Sequence, residues 1–212
     1  MAITPEIDKW LRESYEYQCF VSWPHTIDPD ITNCARAMQT TIRGKLGKSF
    51  SKPAVFRDES ERIAGDEWEK KIPRALCRSI CMVAICAPIY YHPEHPWCGL
   101  EWAVMENFSS TRLCGKDFKA ILPVMVRMSD PLPRAVSKID RFDVSRVATM
   151  GQRYFSYPEF LATIEKIIAR IERIAEELWR GQCRADCEEL LIPSESAFSD
   201  YHAPTQRYPL VG

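Results

Sequence analysis

A chain of 212 residues is long enough to bury a substantial core and suits one α/β domain with some excess. Hydrophobic content of 46% beside 27% charged residues is ordinary for a soluble globular protein. The formal net charge is −1 with both signs intermingled, so neither the basic stripe that nucleic acid requires nor the polybasic block that suits an anionic membrane is present.

The chain starts with a helix signal, Thr4-Pro5-Glu6, with Thr4 as cap, Pro5 in the first turn and Ile7, Trp10 and Leu11 as the apolar face. Residues 15–23 (YEYQCFVSW) alternate and then turn apolar, as a first strand does, and 24–30 form a loop at its carboxyl end. Helical spacing follows at Ile31, Ala35, Met38, Ile42 and Leu46, weakened or ended by Gly44 and Gly47. Residues 53–56 predict a short second strand, 57–66 a strongly polar loop, and Trp68, Ile72, Ala75, Leu76 and Ser79 the next helix.

The stretch 79–107 organises the chain. Residues 80–87 are an unbroken apolar run, short and rich in small and β-branched side chains, which predicts a strand buried on both faces. A proline-broken loop, 88–96, leads into Trp97-Cys98-Gly99-Leu100-Glu101-Trp102, the start of a helix on which Trp97 and Glu101 share a face. A fourth strand spans 118–127, with Pro123 marking an edge or bulge, and a short fifth lies near 142–144. Residues 157–179 form a long amphipathic helix that turns Phe160, Ile164, Ile167, Ile168, Ile171, Ile174 and Leu178 inward. After Arg180 the periodicity fades.

Strands alternating with helices predict an α/β fold, a doubly wound five-stranded parallel sheet with helices on both faces. In such sheets ligands bind beyond the carboxyl ends of the strands, at the switch point. In a flavodoxin-like order the first and third strands flank that point, which sets Glu101 across the crevice from Ser22, Trp23 and His25. The expected division is a helical extension at 1–14, the α/β domain at 15–180 and an irregular tail at 181–212.

Several chemistries find no motif. There is no GxGxxG, no GxxxxGK[ST] and no GxSxG elbow, and the four histidines make no metal pattern. The nine cysteines are scattered and odd in number, with Cys77, Cys81 and Cys86 in or beside the buried run, which predicts reduced thiols in a cytoplasmic protein. Cys183 and Cys187, spaced for one helix face, lack a second ligand pair. The first residues carry no apolar signal core, and the longest apolar run is too short to span a membrane.

The order YEYQCFVSW, then VFRDESERIAGDEWEKKIPRALCRSICMVAICAPIYYHPEHPWCGLEW, resembles the TIR domain family, particularly its bacterial members, over about residues 15–179. The resemblance implies a TIR fold in which 57–66 is the loop used in assembly and gating. Trp97 to Glu101 matches the family's WxxxE, whose glutamate is catalytic in members that cleave NAD+. It implies Glu101 as the catalytic carboxylate, with Trp97, Ser22, Trp23 and Arg57 on the substrate side, NAD+ as substrate, no cofactor and no metal. This chain departs from many members in the first loop, where Ser22 is followed by Trp23-Pro24-His25 rather than by Tyr or Phe and a charged residue.

The implied activity is an NAD+ glycohydrolase or cyclase that releases nicotinamide and makes ADP-ribose, or a cyclic or conjugated ADP-ribose signal, in antiphage immunity. A lone catalytic domain of this kind resembles the signal-producing subunit of Thoeris-like systems. Its implied partners are further copies of itself, through TIR–TIR contacts, and a separate effector protein reached through a nucleotide messenger. The alternative is a TIR adaptor that assembles through 57–66 without chemistry. Taken alone, Glu101 also reads as a carboxylate favoured by the helix dipole. Trp97 and Trp23 likewise read as packing aromatics, and Ser22 as a hydroxyl bonding backbone.

Overall fold

The computed structural model describes residues 3–26, 28–56, 68–92, 96–127, 132–150 and 154–187. Its five strands are β1 (Tyr17–Ser22), β2 (Val55–Phe56), β3 (Ser79–Cys86), β4 (Ile121–Met125) and β5 (Phe142–Asp143). They form one sheet in the order β2-β1-β3-β4-β5, every pair parallel. That is the flavodoxin-like α/β order. Seven helices accompany them among the described residues: α1 (Pro5–Ser14), α2 (Pro29–Leu46), α3 (Trp68–Cys77), α4 (Pro96–Arg112), the short α5 (Arg134–Ser137) and α6 (Ser145–Ala148), and α7 (Pro158–Arg180). The chain reverses its direction across the sheet after β2, so right-handed crossovers put α2 on one face and α3 and α4 on the other. Accordingly α7 packs on α2, and α3 on α4.

The core is centred on β3, whose eight residues are all buried, as the apolar run at 80–87 predicts. Beside it β1 buries Cys19, Phe20 and Val21, and Phe20 stacks on Phe56 of β2 with ring centroids 4.9 Å apart. The inward residues of α7 named from sequence are all buried. The first helix shares this core, burying Ile7 and Leu11 and packing against α7.

Three local features differ from the sequence expectation, each for a physical reason. The second helix begins at Pro29 rather than Ile31, because Asp28 caps it by accepting from the Asp30 N–H at 3.0 Å and Pro29 takes the first turn. Pro123 lies in a strand that is not at the sheet's edge, yet its position is edge-like. Val126 bonds toward β3 and Met125 accepts from Val144 on the β5 side, so the odd residues of β4 face β5. Since β5 begins opposite Val124, no acceptor waits for the N–H that Pro123 lacks.

The third is a correction. Cys77 and Cys187 form a disulfide across 110 residues of sequence, where the cysteine pattern predicts reduced thiols throughout. Odd number and wide spacing hid it, because the fold alone brings the end of α3 to the segment after α7. Residues 183–187 form neither helix nor strand. The Tyr15 hydroxyl donates to the Cys183 carbonyl at 2.6 Å, and Arg184 lies over the Trp10 ring. This part of the tail therefore sits at the amino ends of β1 and β3.

Candidate functional site

Parallel strands bring the last residues of β1 and β3 to one end of the sheet, and the chain leaves these neighbours toward opposite faces. β1 ends on Ser22, which pairs in register with Ala84 of β3. Past β3 the chain makes a single 3-10 turn, Pro88–Tyr91, that buries Tyr90 and Tyr91, and Pro96 then opens α4. Proline suits the first turn of a helix, where an N–H has no partner to lose. The second turn of α4 delivers Glu101 to the end of β1.

The contact is direct. The Ser22 hydroxyl donates to Glu101 Oε2. The Tyr90 hydroxyl lies 2.6 Å from Ser22 Oγ. A serine hydroxyl has one proton, and here it goes to the carboxylate, so Tyr90 is the donor of that second bond. Glu101 is 5% exposed, Ser22 1% and Tyr90 2%, so the chain Tyr90 to Ser22 to Glu101 is closed off from bulk water. Burial, reinforced by the charges of Cys98, Cys86 and Glu101, raises the Tyr90 phenol well above its usual range, outweighing the Ser22 hydrogen bond. Tyr90 is thus a neutral donor, held edge-on to the Trp102 ring at 6.4 Å.

Of the residues singled out from sequence, the fold brings Ser22 and Glu101 together. Trp97, one turn before Glu101, stands 42% exposed at the mouth of α4. Trp23 is buried, its ring 4.5 Å from that of His25 and inclined by 34°. Arg57 and the 57–66 loop lie outside the described residues. Tyr90 was missed, because its place in a proline-broken stretch reads as loop; the signal was an aromatic hydroxyl three residues past the buried run 80–87. On the rim, Arg127 bonds Asp28 at 2.7 Å and Asp30 at 3.2 Å, tying the loop after β1 to the end of β4.

The cysteines nearby offer no nucleophile. Burial pushes the thiols of Cys19 and Cys86 up to about 12, and that of Cys81 well above its usual value. Among the described residues no group of three or more His, Cys, Asp or Glu side chains is placed to hold a metal ion. No helix among them is long and apolar enough to cross a membrane.

The fold and this end of it define a doubly wound α/β protein with a buried carboxylate at its topological switch point. The family described as TIR domain matches residues 35–153, and the chain belongs to that family. The matched stretch contains Trp97 and Glu101 and begins after Ser22. Among solved structures, the chain is similar to the TIR domains of an activated Roq1 resistosome that directly recognizes the pathogen effector XopQ. Identity there is 16%, over 86% of this chain and 95% of that one, with a TM-score of 0.38. No curated protein matches the chain.

Proposed function

We propose that this TIR protein cleaves NAD+ at the bond between nicotinamide and ribose, with Glu101 as the catalytic carboxylate. The observation that carries the reading is the Ser22–Glu101 contact at the switch point, where doubly wound sheets receive ligands. Departure of nicotinamide leaves oxocarbenium character on the ribose, as in glycoside hydrolysis. The pyridinium takes the bonding electron pair and leaves neutral, so no general acid is needed. A carboxylate fixed beside the ribose stabilises the developing positive charge and accepts hydrogen bonds from the ribose hydroxyls. In this reading a ribose hydroxyl takes over the donor position that Ser22 now fills at Oε2. Trp97 at the mouth and Trp23 in the first loop supply ring faces for the nicotinamide or adenine, and Arg57 a contact to phosphate.

The nucleophile sets the product. Water adding to the anomeric carbon and releasing one proton gives ADP-ribose, whereas a hydroxyl or ring nitrogen of the same molecule gives a cyclic isomer. The wider role in this reading is a cytoplasmic, self-associating, Thoeris-like enzyme whose nucleotide product reaches a separate effector protein during phage infection. A second reading, an adaptor without chemistry, is favoured by one observation: the carboxylate is buried and already engaged.

The test is incubation of purified protein with NAD+, products being resolved by chromatography and mass spectrometry beside Glu101→Ala. Nicotinamide with cyclic or conjugated ADP-ribose, lost in the variant, is the expected result. ADP-ribose alone marks a depleting hydrolase. No turnover at high protein concentration, nor in lysate of phage-infected cells, leaves the adaptor.

A further inference from the structure

At the amino end of the sheet, away from Ser22, β5 stops short. Its two residues pair with Val124 and Met125, so Ile121 to Pro123 of β4 have no β5 neighbour. The gap is a cavity of about 860 Å³ reaching from α4 to α7, with Phe118, Ile121, Leu122, Ile139 and Phe142 as its apolar lining. That volume lies within the range of small-molecule sites, roughly 300–1,000 Å³. Its charged lining is lopsided. Lys116, Lys119, Lys138, Arg141, Arg170 and Arg173 face Glu106, Asp117 and Asp140, in a chain whose net charge is −1.

Two of these cations are arranged in advance. Arg170 and Arg173, on adjacent turns of α7, both lie over the Phe118 ring, 5.4 and 4.5 Å from its centroid. Two guanidinium groups held by one ring repel each other, and an anion between them removes that repulsion. The carboxylate nearest Arg173 is Asp117 at 3.6 Å, itself 86% exposed and so a weak, screened partner. Lys116 is turned to Glu177 and Lys119 to Ser110. Among the described residues no ion pair engages Arg170, Lys138 or Arg141.

We propose that this cavity binds a nucleotide. Its phosphates lie between the Arg170–Arg173 pair and the facing Lys138 and Arg141, guanidinium forks taking phosphate oxygens in pairs. Its base and sugar cover the apolar lining. An acidic protein segment would use the cations but leave the apolar floor of Phe118, Ile121, Leu122, Ile139 and Phe142 uncovered. The site stands apart from the buried Ser22–Glu101 pair and does not rest on the activity proposed for it.

The experiment is fluorescence titration of the full chain with N-methylanthraniloyl-ATP, with unlabelled ATP and tripolyphosphate as competitors. Saturable binding is expected, weakened roughly tenfold or more by the Arg170→Ala/Arg173→Ala pair. Lys138→Glu/Arg141→Glu, on exposed positions that do not threaten folding, weakens it similarly. Glu101→Ala leaves it in place, and ATP displaces the probe at lower concentration than tripolyphosphate. Absence of saturable binding, indifference to both paired variants, loss with Glu101→Ala, or equal displacement by tripolyphosphate would each overturn the assignment.

Discussion

Ser22 has one proton and two buried neighbours, and that makes its energetic role separable from theirs. Ser22→Ala takes a donor from the Glu101 carboxylate and an acceptor from the Tyr90 phenol, at positions where no bulk water replaces either. A hydrogen bond to a charged group contributes about 1.5–3 kcal/mol, and a buried phenol left without an acceptor costs about 1–3 kcal/mol. The substitution should therefore lower stability by roughly 2.5–6 kcal/mol. In a Glu101→Ala background Ser22 still accepts from Tyr90, so the same substitution should cost only about 1–3 kcal/mol. The difference, a coupling of about 1.5–3 kcal/mol, is the quantity to measure, by urea unfolding of the wild type, the two single variants and the double variant. Tyr90→Phe leaves the Ser22–Glu101 bond intact and should cost about 1 kcal/mol. Additivity of Ser22→Ala and Glu101→Ala within about 0.5 kcal/mol would refute the network.

Burial elsewhere in the fold sets further outcomes. Burial holds the Cys19, Cys34 and Cys86 thiols near 12 against an ordinary 9.0, so above pH 9 the unfolded chain loses protons that the fold retains. The stability these thiols contribute is complete below pH 9 and is lost as pH rises toward 12; thermal melts across that window should fall, and less steeply for Cys19→Ala. A non-reducing protease digest should yield one peptide pair joining Cys77 to Cys187, separated on reduction, and its absence would remove the latch on residues 183–187. Ile171→Ala, at a fully buried position of α7, should cost about 2–5 kcal/mol in denaturant unfolding. Thr4→Ala removes the cap that accepts from the Ile7 N–H and should cost about 1 kcal/mol, read as a small fall in melting temperature.

The legible parts of this fold are those whose burial is one-dimensional. Residues 80–87 are apolar without interruption because β3 has sheet on both edges and helices on both faces, and α7 shows its stripe because one face alone meets the core. β5, expected near 142–144 and found at Phe142–Asp143, was legible in place but not in pattern: with two residues, one half-buried and one exposed, it carries no period. Glu101 was legible through its WxxxE spacing, and its juxtaposition with Ser22 through the strand order. Tyr90 was not, because what makes it part of the site is the 3-10 turn, a geometry that Pro88-Ile89-Tyr90-Tyr91 does not announce. The Cys77–Cys187 pair was illegible for a related reason, since the tail's docking depends on Tyr15, Trp10 and Arg112, which are remote in sequence.

Burial of Glu101 turns Ser22 into a discriminator between two accounts of the proposed reaction. If a ribose hydroxyl replaces Ser22 as the donor to Oε2, the substrate must first break the existing bond, and the hydroxyl competes with the ligand. Ser22→Ala then removes the competing donor at Oε2, and one such bond corresponds to roughly a tenfold gain in affinity. KM for NAD+ should fall by about that factor, with kcat unchanged or lower. If Ser22 instead aims the carboxylate at the anomeric carbon, its loss lets Glu101 rotate, and kcat falls while KM does not. Steady-state kinetics on this one variant separate the two, and a rise in KM would refute the exchange of donors at Oε2.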